Sequence, residues 1–344
     1  MSDRIEKPIE FDRSATWEMV KDRRSACLDS NIWINLADEK TETATRVKEL
    51  LIDAVAVGRV FCPLYTPVIW ELYKQSRQSR LNTGALMEQA SLNVCLSPSS
   101  EVFRWEVHSF AHELLGEQLP PNWSSKLYVP VSGYLGSCFC LEFSPDTPSS
   151  IVDSIASMVS DRMNSMSLTA LLTMRDERIS EHMKQMEAPQ YSERIKQIRS
   201  VTKGDKEKAF RLEAESVFER VIHPAIWSLP PRLLLPFMAS IKTLPRDDYG
   251  GILRTILGRL PAIHNHIETM AIVSQEPNRS DRVSDFFDLD LIPVPLAYCD
   301  ALVSEDKRIR DIITRRSSIL GNGKCKYVGG LLDFEQWLRE SSTQ

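Results

Sequence analysis

Six acidic residues stand where chemistry could be done: Asp29, Glu71, Asp285, Asp288, Asp300 and Asp306. Asp29 follows the short apolar run Ala26-Cys27-Leu28 and precedes Ser30-Asn31. Asp306 holds the corresponding place after Ala301-Leu302-Val303-Ser304. In a parallel sheet, ligand sites lie at the carboxyl ends of the strands, so an acid at either place points at a site. Asp is also an ordinary helix N-cap, and a helical pattern follows each of the two; capping explains one such acid more easily than two. Glu71 sits inside Val68-Ile69-Trp70-Glu71-Leu72-Tyr73. There its carboxylate is either turned to solvent or buried at a cost that a partner or a metal must offset. Asp285, Asp288 and Asp290 crowd the start of another helical pattern, where the helix dipole favours acids. Asp285 and Asp288 share a face of that helix, whereas Asp290 turns away from Asp288. Asp300 begins the strand that leads to Asp306.

Brought together, such acids repel. At about 4 Å and an effective dielectric near 20, each like-charged pair costs roughly 4 kcal/mol. A divalent cation offsets that cost. Oxygen-only ligands select a hard ion, Mg²⁺ or Mn²⁺, over zinc. An ion held this way lowers the pKa of a bound water and stabilises charge on a phosphodiester.

The elements that would position these acids follow from periodicity. Ala26-Cys27-Leu28-Asp29 reads as a strand and Thr43 to Val57 as a helix, closed by Gly58. Val60-Phe61-Cys62 reads as a second strand. Thr66-Pro67 predicts an N-cap with proline at the first helical position, and Leu92 to Leu96 predicts a third strand. The pattern then turns mainly helical from about Val102 to Ile272, with a strand or hairpin near Tyr128 to Phe143. The α/β alternation returns near Ser284. Asp285 to Leu296 reads as a helix whose end Pro293 and Pro295 distort. Ala301 to Ser304 reads as a strand, Lys307 to Arg316 as a helix, Lys326 to Val328 as a last strand and Leu331 to Arg339 as a last helix. Each α/β stretch is too small for a good sheet alone; together they supply about five strands. The predicted organisation is an N-terminal extension (1–25), a first half of an α/β core (26–100), a mainly helical insertion (101–280) and the second half of the core (281–344).

In order and spacing these segments resemble the motifs of PIN domains. Leu28-Asp29-Ser30-Asn31 looks like the opening motif, in which a strand-end Asp is the first metal-binding acid. Cys62 to Leu72 is similar to the second, which carries a helix-borne Glu, here Glu71. Val303-Ser304-Glu305-Asp306-Lys307 resembles the late motif, with Ser in place of Thr. The third acid precedes that Asp by one helix and one strand, which fits Asp288 and leaves Asp285 open. Ser284 to Asp288, with Tyr298-Cys299-Asp300, looks like a subgroup of large bacterial PIN-like proteins. The resemblance covers roughly 26–97 and 281–344, and the helical insertion is much larger than in minimal PIN domains.

The resemblance implies a three-layer α/β/α core interrupted by the insertion. It implies a metal-dependent endonuclease using Mg²⁺ or Mn²⁺, with Asp29, Glu71, Asp288 and Asp306 as catalytic acids. Asp285 and Asp300 join them as metal-binding residues. Asn31, Ser304, Lys307, Arg308 and Arg310 are the expected substrate contacts. Products would carry a 5′-phosphate and a 3′-hydroxyl. RNA is preferred to DNA by fold-level analogy alone. The rival is a non-catalytic PIN-like scaffold, with the insertion as a protein-interaction module. A homo-oligomer and a protein partner on the insertion stay open.

Composition bounds the remaining classes. The 344 residues are 42% hydrophobic and 26% charged, enough for a real core and against wholesale disorder. A net charge of −5 excludes a nucleic-acid coat held by bulk positive charge but permits a local basic strip beside acids. Such strips occur at Arg194 to Arg211 and at Lys307, Arg308, Arg310, Arg315 and Arg316. Acids interleave the first, which favours a solvated helix face; the second begins beside Asp306. Cys27, Cys62 and Cys95 lie in apolar runs and read as buried reduced thiols, and Cys138 with Cys140 lacks a second pair for zinc. His108 and His112 are at i and i+4 without a third ligand, so a packing helix is the better reading. No stretch has the roughly 20 apolar residues of a membrane span, and no apolar core of a signal peptide is seen, so the expectation is a cytoplasmic protein with no membrane partner.

Overall fold

The computed structural model describes residues 4–120, 123–135, 140–174, 188–243, 256–276, 289–315 and 325–341. In chain order the elements begin with β1 (Ile5–Pro8), α1 (Arg13–Val20), β2 (Arg24–Leu28), α2 (Ser30–Asp38), α3 (Glu42–Ala56), β3 (Val60–Phe61), α4 (Thr66–Leu72), α5 (Arg77–Ser91) and β4 (Val94–Leu96). They continue with α6 (Ser99–Leu114), β5 (Tyr128–Pro130), β6 (Cys140–Phe143), α7 (Ser149–Asn164), α8 (Leu168–Met174), α9 (Ala188–Thr202), α10 (Lys206–Val217), α11 (His223–Trp227) and α12 (Pro231–Thr243). The chain closes with α13 (Pro261–Ser274), α14 (Pro293–Tyr298), β7 (Ala301–Val303), α15 (Lys307–Arg315), β8 (Lys326–Val328) and α16 (Leu331–Glu340).

The fold is α/β, with a parallel sheet of four strands: β2, β3, β7 and β8. The chain divides into two compact units. The first comprises Met1–Pro98, Ser124–Glu181 and Glu335–Gln344, and the second Ser99–Trp123 and His182–Phe334.

In the first unit β2 and β3 pair in parallel, Arg24 opposite Val60 and Ser25 opposite Phe61. Helix α2 packs against α3, α4 and α5. The helical period in α3 puts Val47, Leu51, Ala54 and Val55 on the buried face. Trp33, Leu36 and Phe61 are fully buried with them. The C-terminal helix is tied to this unit through Arg46, whose guanidinium grips Glu335 with two bonds (3.0 and 2.8 Å) and holds that carboxyl well below its ordinary pKa. Arg24 lies over the Trp337 ring at 4.5 Å.

The third expected strand does not join the parallel sheet. Strand β3 ends at Phe61; beyond it Leu64 bridges to Cys95 in parallel, its N–H donating to Val94 O (2.9 Å) and its carbonyl accepting from Leu96 N (2.7 Å). Strand β4 instead pairs along its length with β5, antiparallel, Cys95 opposite Val129. The 128–143 stretch is correspondingly not a hairpin: β5 belongs to β4, and β6 pairs antiparallel with β1. Helix α4 has Tyr65 rather than Thr66 at its N-cap. Tyr65 is extended (φ −134°, ψ 144°), and its carbonyl accepts from Val68 N and Ile69 N.

The second unit is built on α13, which packs against α6, α9, α10, α14 and α15. Its strands β7 and β8 pair in parallel, Ala301 opposite Lys326 through Val303 opposite Val328. Pro293 stands in the first turn of α14, where a missing N–H costs nothing, and the start of the helix expected from Asp285 lies outside the described residues. Among the described residues, no helix is long and apolar enough to cross a membrane.

Candidate functional site

Strand β2 ends at Leu28 and delivers Asp29 to the first residue beyond it, 3% exposed. Asp29 occupies the N-cap position of α2, but its side chain makes no capping bond; its backbone carbonyl accepts from Ile32 N (3.1 Å) and Trp33 N (3.2 Å). The carboxylate is therefore not spent on the helix. Ser30, buried beside it, places Oγ 3.2 Å from Asp29 Oδ1, and the same hydroxyl donates to Glu71 Oε2. Helix α4 thus directs Glu71 at the start of α2, with its side chain only 18% exposed. The other Glu71 oxygen, Oε1, accepts from the Lys74 ammonium at 2.7 Å.

A serine hydroxyl carries one proton and can satisfy one acceptor as a donor. Ser30 lies between two carboxylates and its one proton serves one of them at a time, while the Lys74 ammonium offsets the charge of Glu71. All the donors are hard oxygens. A pair of carboxylates suits Mg²⁺, which is held through one or two carboxylates and keeps several waters. Among the described residues no group of three His, Cys, Asp or Glu side chains could hold a metal by itself.

The second unit holds the segment Val303 to Lys307. Ser304 is fully buried; its hydroxyl accepts from Asp306 N (3.0 Å), and its carbonyl accepts from the Tyr327 hydroxyl (2.8 Å). Asp306 does cap its helix: Oδ1 accepts from Arg308 N (2.6 Å) and Ile309 N (3.2 Å). The capping role that the sequence offered for both aspartates applies to Asp306 and not to Asp29. Asp300 is half-buried, and its carbonyl accepts from Lys326 N (2.9 Å). Asp285 and Asp288 lie outside the described residues. Asp290 accepts from Ser99 Oγ at 2.9 Å, and burial raises its pKa to about 6.

Among the expected substrate contacts, Asn31, Lys307 and Arg310 are exposed. Arg310 Nη2 donates to Gly329 O (3.3 Å), and Arg308 Nε lies 3.7 Å from Glu276 Oε2. In the other basic strip Arg211 pairs with Glu215, Lys208 donates to Val201 O and Arg199 to Ser274 O, as suits a helix face bonded to its own surroundings. Cys27, Cys62 and Cys95 are buried free thiols, and burial pushes Cys62 and Cys95 up from their ordinary pKa. Cys138 lies outside the described residues. His108 packs its helix, Nε2 lying 2.9 Å from Ser228 Oγ.

One charged group went unread in the sequence. Glu106 is 2% exposed on α6. Its oxygens accept from Ala262 N (2.7 Å) and Ile263 N (3.0 Å), the first turn of α13, and from the Tyr298 hydroxyl. Burial raises its carboxyl to a pKa of about 7 against the opposing pull of the three donors. The signal was present: Glu106 falls on the buried stripe of Phe103, Val107 and Phe110. The Tyr298-Cys299-Asp300 triplet thereby acquires a structural use, since Tyr298 bonds Glu106 and meets the Trp105 ring edge-on at 5.3 Å.

Set against protein-family models, characterised proteins and solved structures, the chain matches none of them.

Proposed function

We propose that the protein is a divalent-metal-dependent nuclease of three-layer PIN-like architecture that hydrolyses phosphodiester bonds, with RNA as substrate. The observation that carries this reading is the pair of carboxylates, Asp29 buried and Glu71 partly buried, meeting at the hydroxyl of Ser30. Asp29 and Glu71 would hold Mg²⁺ or Mn²⁺, and the ion would supply an activated water and charge neutralisation at the phosphate. Ser30 keeps the two carboxylates at one place. Asp288 and Asp306 are assigned to the same chemistry by the resemblance, which also makes Asp285 and Asp300 metal-binding residues. Lys307 and Arg310, exposed on one face of α15, would bind the backbone phosphates.

The test is metal-linked stability. A cation that binds only the folded protein raises Tm with its concentration, by about 2.7 kcal/mol of stability at a hundredfold excess over Kd. Mn²⁺ is expected to raise Tm of the wild type and not of Asp29→Asn with Glu71→Gln. An equal shift in both places the ion elsewhere.

The substrate is tested separately. Lys307→Ala with Arg310→Ala is expected to weaken RNA binding in Ca²⁺ and to reduce the salt slope by roughly one to two units, one per lost phosphate contact. Identical slopes in a filter-binding titration would make these residues a solvated helix face.

A further inference from the structure

Lys74 adds a feature that the acid pair alone does not have. Helix α4 ends at Leu72, and Lys74 lies in the turn beyond it, its N–H donating to Glu71 O (3.0 Å). That turn fixes the root of the side chain and brings the ammonium back onto Glu71 Oε1 at 2.7 Å. With Ser30 on Oε2, both oxygens of Glu71 are engaged. A divalent ion can reach Oε1 only where the ammonium gives way, because two cations on one carboxylate oxygen repel at close range. The lysine can move: its side chain is 46% exposed, on a flexible four-carbon stem.

We propose that Lys74 is a built-in competitor for the metal. Its ammonium neutralises Glu71 in the metal-free protein and is displaced when a divalent cation binds, so that Lys74 sets the affinity of the site. The inference rests on the metal-site reading given above and adds how that site is regulated. A lysine at this position keeps the acid pair tolerable without metal and weakens the hold on the ion. The ordinary alternative is a surface pair three residues apart at a helix end, which acts on stability alone.

The experiment is Mn²⁺ binding to the full chain by isothermal titration calorimetry, for the wild type, Lys74→Met and Lys74→Arg. Methionine keeps the length of the stem and removes the charge. Lys74→Met is expected to bind Mn²⁺ roughly fivefold more tightly, the scale of a partly exposed ion pair, and Lys74→Arg to stay near the wild type. Uptake with the same Kd in Lys74→Met and wild type, whatever happens to Tm, overturns the proposal and leaves the metal site standing. Absence of Mn²⁺ uptake in all three proteins overturns the metal site, and this inference with it.

Discussion

Glu106→Leu is expected to destabilise the protein by about 3–5 kcal/mol, the largest effect on stability of any single change considered. The substitution keeps an apolar side chain of similar size on the buried stripe of α6. It leaves three buried donors, Ala262 N, Ile263 N and Tyr298 Oη, without their acceptor, and each orphaned donor costs about 1–3 kcal/mol. Glu106→Gln is milder. Its amide oxygen can serve one side, but its NH₂ then faces a donor, for about 1–3 kcal/mol. The two variants also differ from the wild type in pH dependence. Folding raises the Glu106 pKa from 4.5 to about 7, so the folded state binds the proton more tightly. Its contribution is fully present below about pH 4.5 and is lost as pH rises through about 7, by about 3 kcal/mol from the linkage relation. The protonated carboxyl can donate to the Tyr298 oxygen, reversing that bond without breaking it. Denaturant melts at pH 5 and pH 8 read this directly. The fall in stability between the two should shrink in Glu106→Gln, and taking the difference from wild type removes the parallel contribution of Asp290, whose pKa is also raised. An unchanged fall in Glu106→Gln would show that Glu106 is ionised throughout.

The sequence revealed local elements better than their partners, and the reasons are physical. Helix α3 was legible because Val47, Leu51 and Ala54 recur at the helical period. Strands β2, β7 and β8 were legible as short apolar runs bounded by polar residues. Which strands pair was not legible, because pairing is made between segments distant in sequence: β4 touches the line of β3 at Leu64 and pairs along its length with β5. Pro293 and Pro295 were visible as helix punctuation, but a proline marks a helix start and a helix end alike until the flanking residues are placed. At the site, the positions of Asp29 and Glu71 could be read. Their meeting could not, since it depends on where a helix far along the chain points one side chain and on a serine hydroxyl between them. Glu106 is the opposite case. Its place on an apolar stripe was readable, while its partners, the first-turn amides of α13, carry no side-chain signature at all.

Asp29→Asn is expected to reduce metal-dependent RNA cleavage by roughly three decades in kcat/KM, while metal-free stability holds. On the proposed metal-site reading, the chemical loss follows from removing one of the charged ligands of a hard ion, where several kcal/mol of charge stabilisation is at stake and about 1.4 kcal/mol is a decade. The stability argument is independent of it. The start of α2 is held by the backbone carbonyl of Asp29, not by its carboxylate, so the helix keeps its first bonds in the variant. Asp306 provides the contrast, because its carboxylate does cap α15. Asp306→Asn retains an acceptor, and asparagine caps as well as aspartate; Asp306→Ala loses it, for about 1 kcal/mol. Four variants therefore separate structure from chemistry. Asp29→Asn and Asp29→Ala should be folded and inactive, Asp306→Asn folded and inactive, and Asp306→Ala inactive and less stable. The measurement is cleavage of a labelled RNA in Mn²⁺ alongside thermal melts without metal. Wild-type cleavage by Asp29→Asn would remove the acid pair from the chemistry. A large drop in Tm for Asp29→Ala would return Asp29 to the role of a structural acid at the head of its helix.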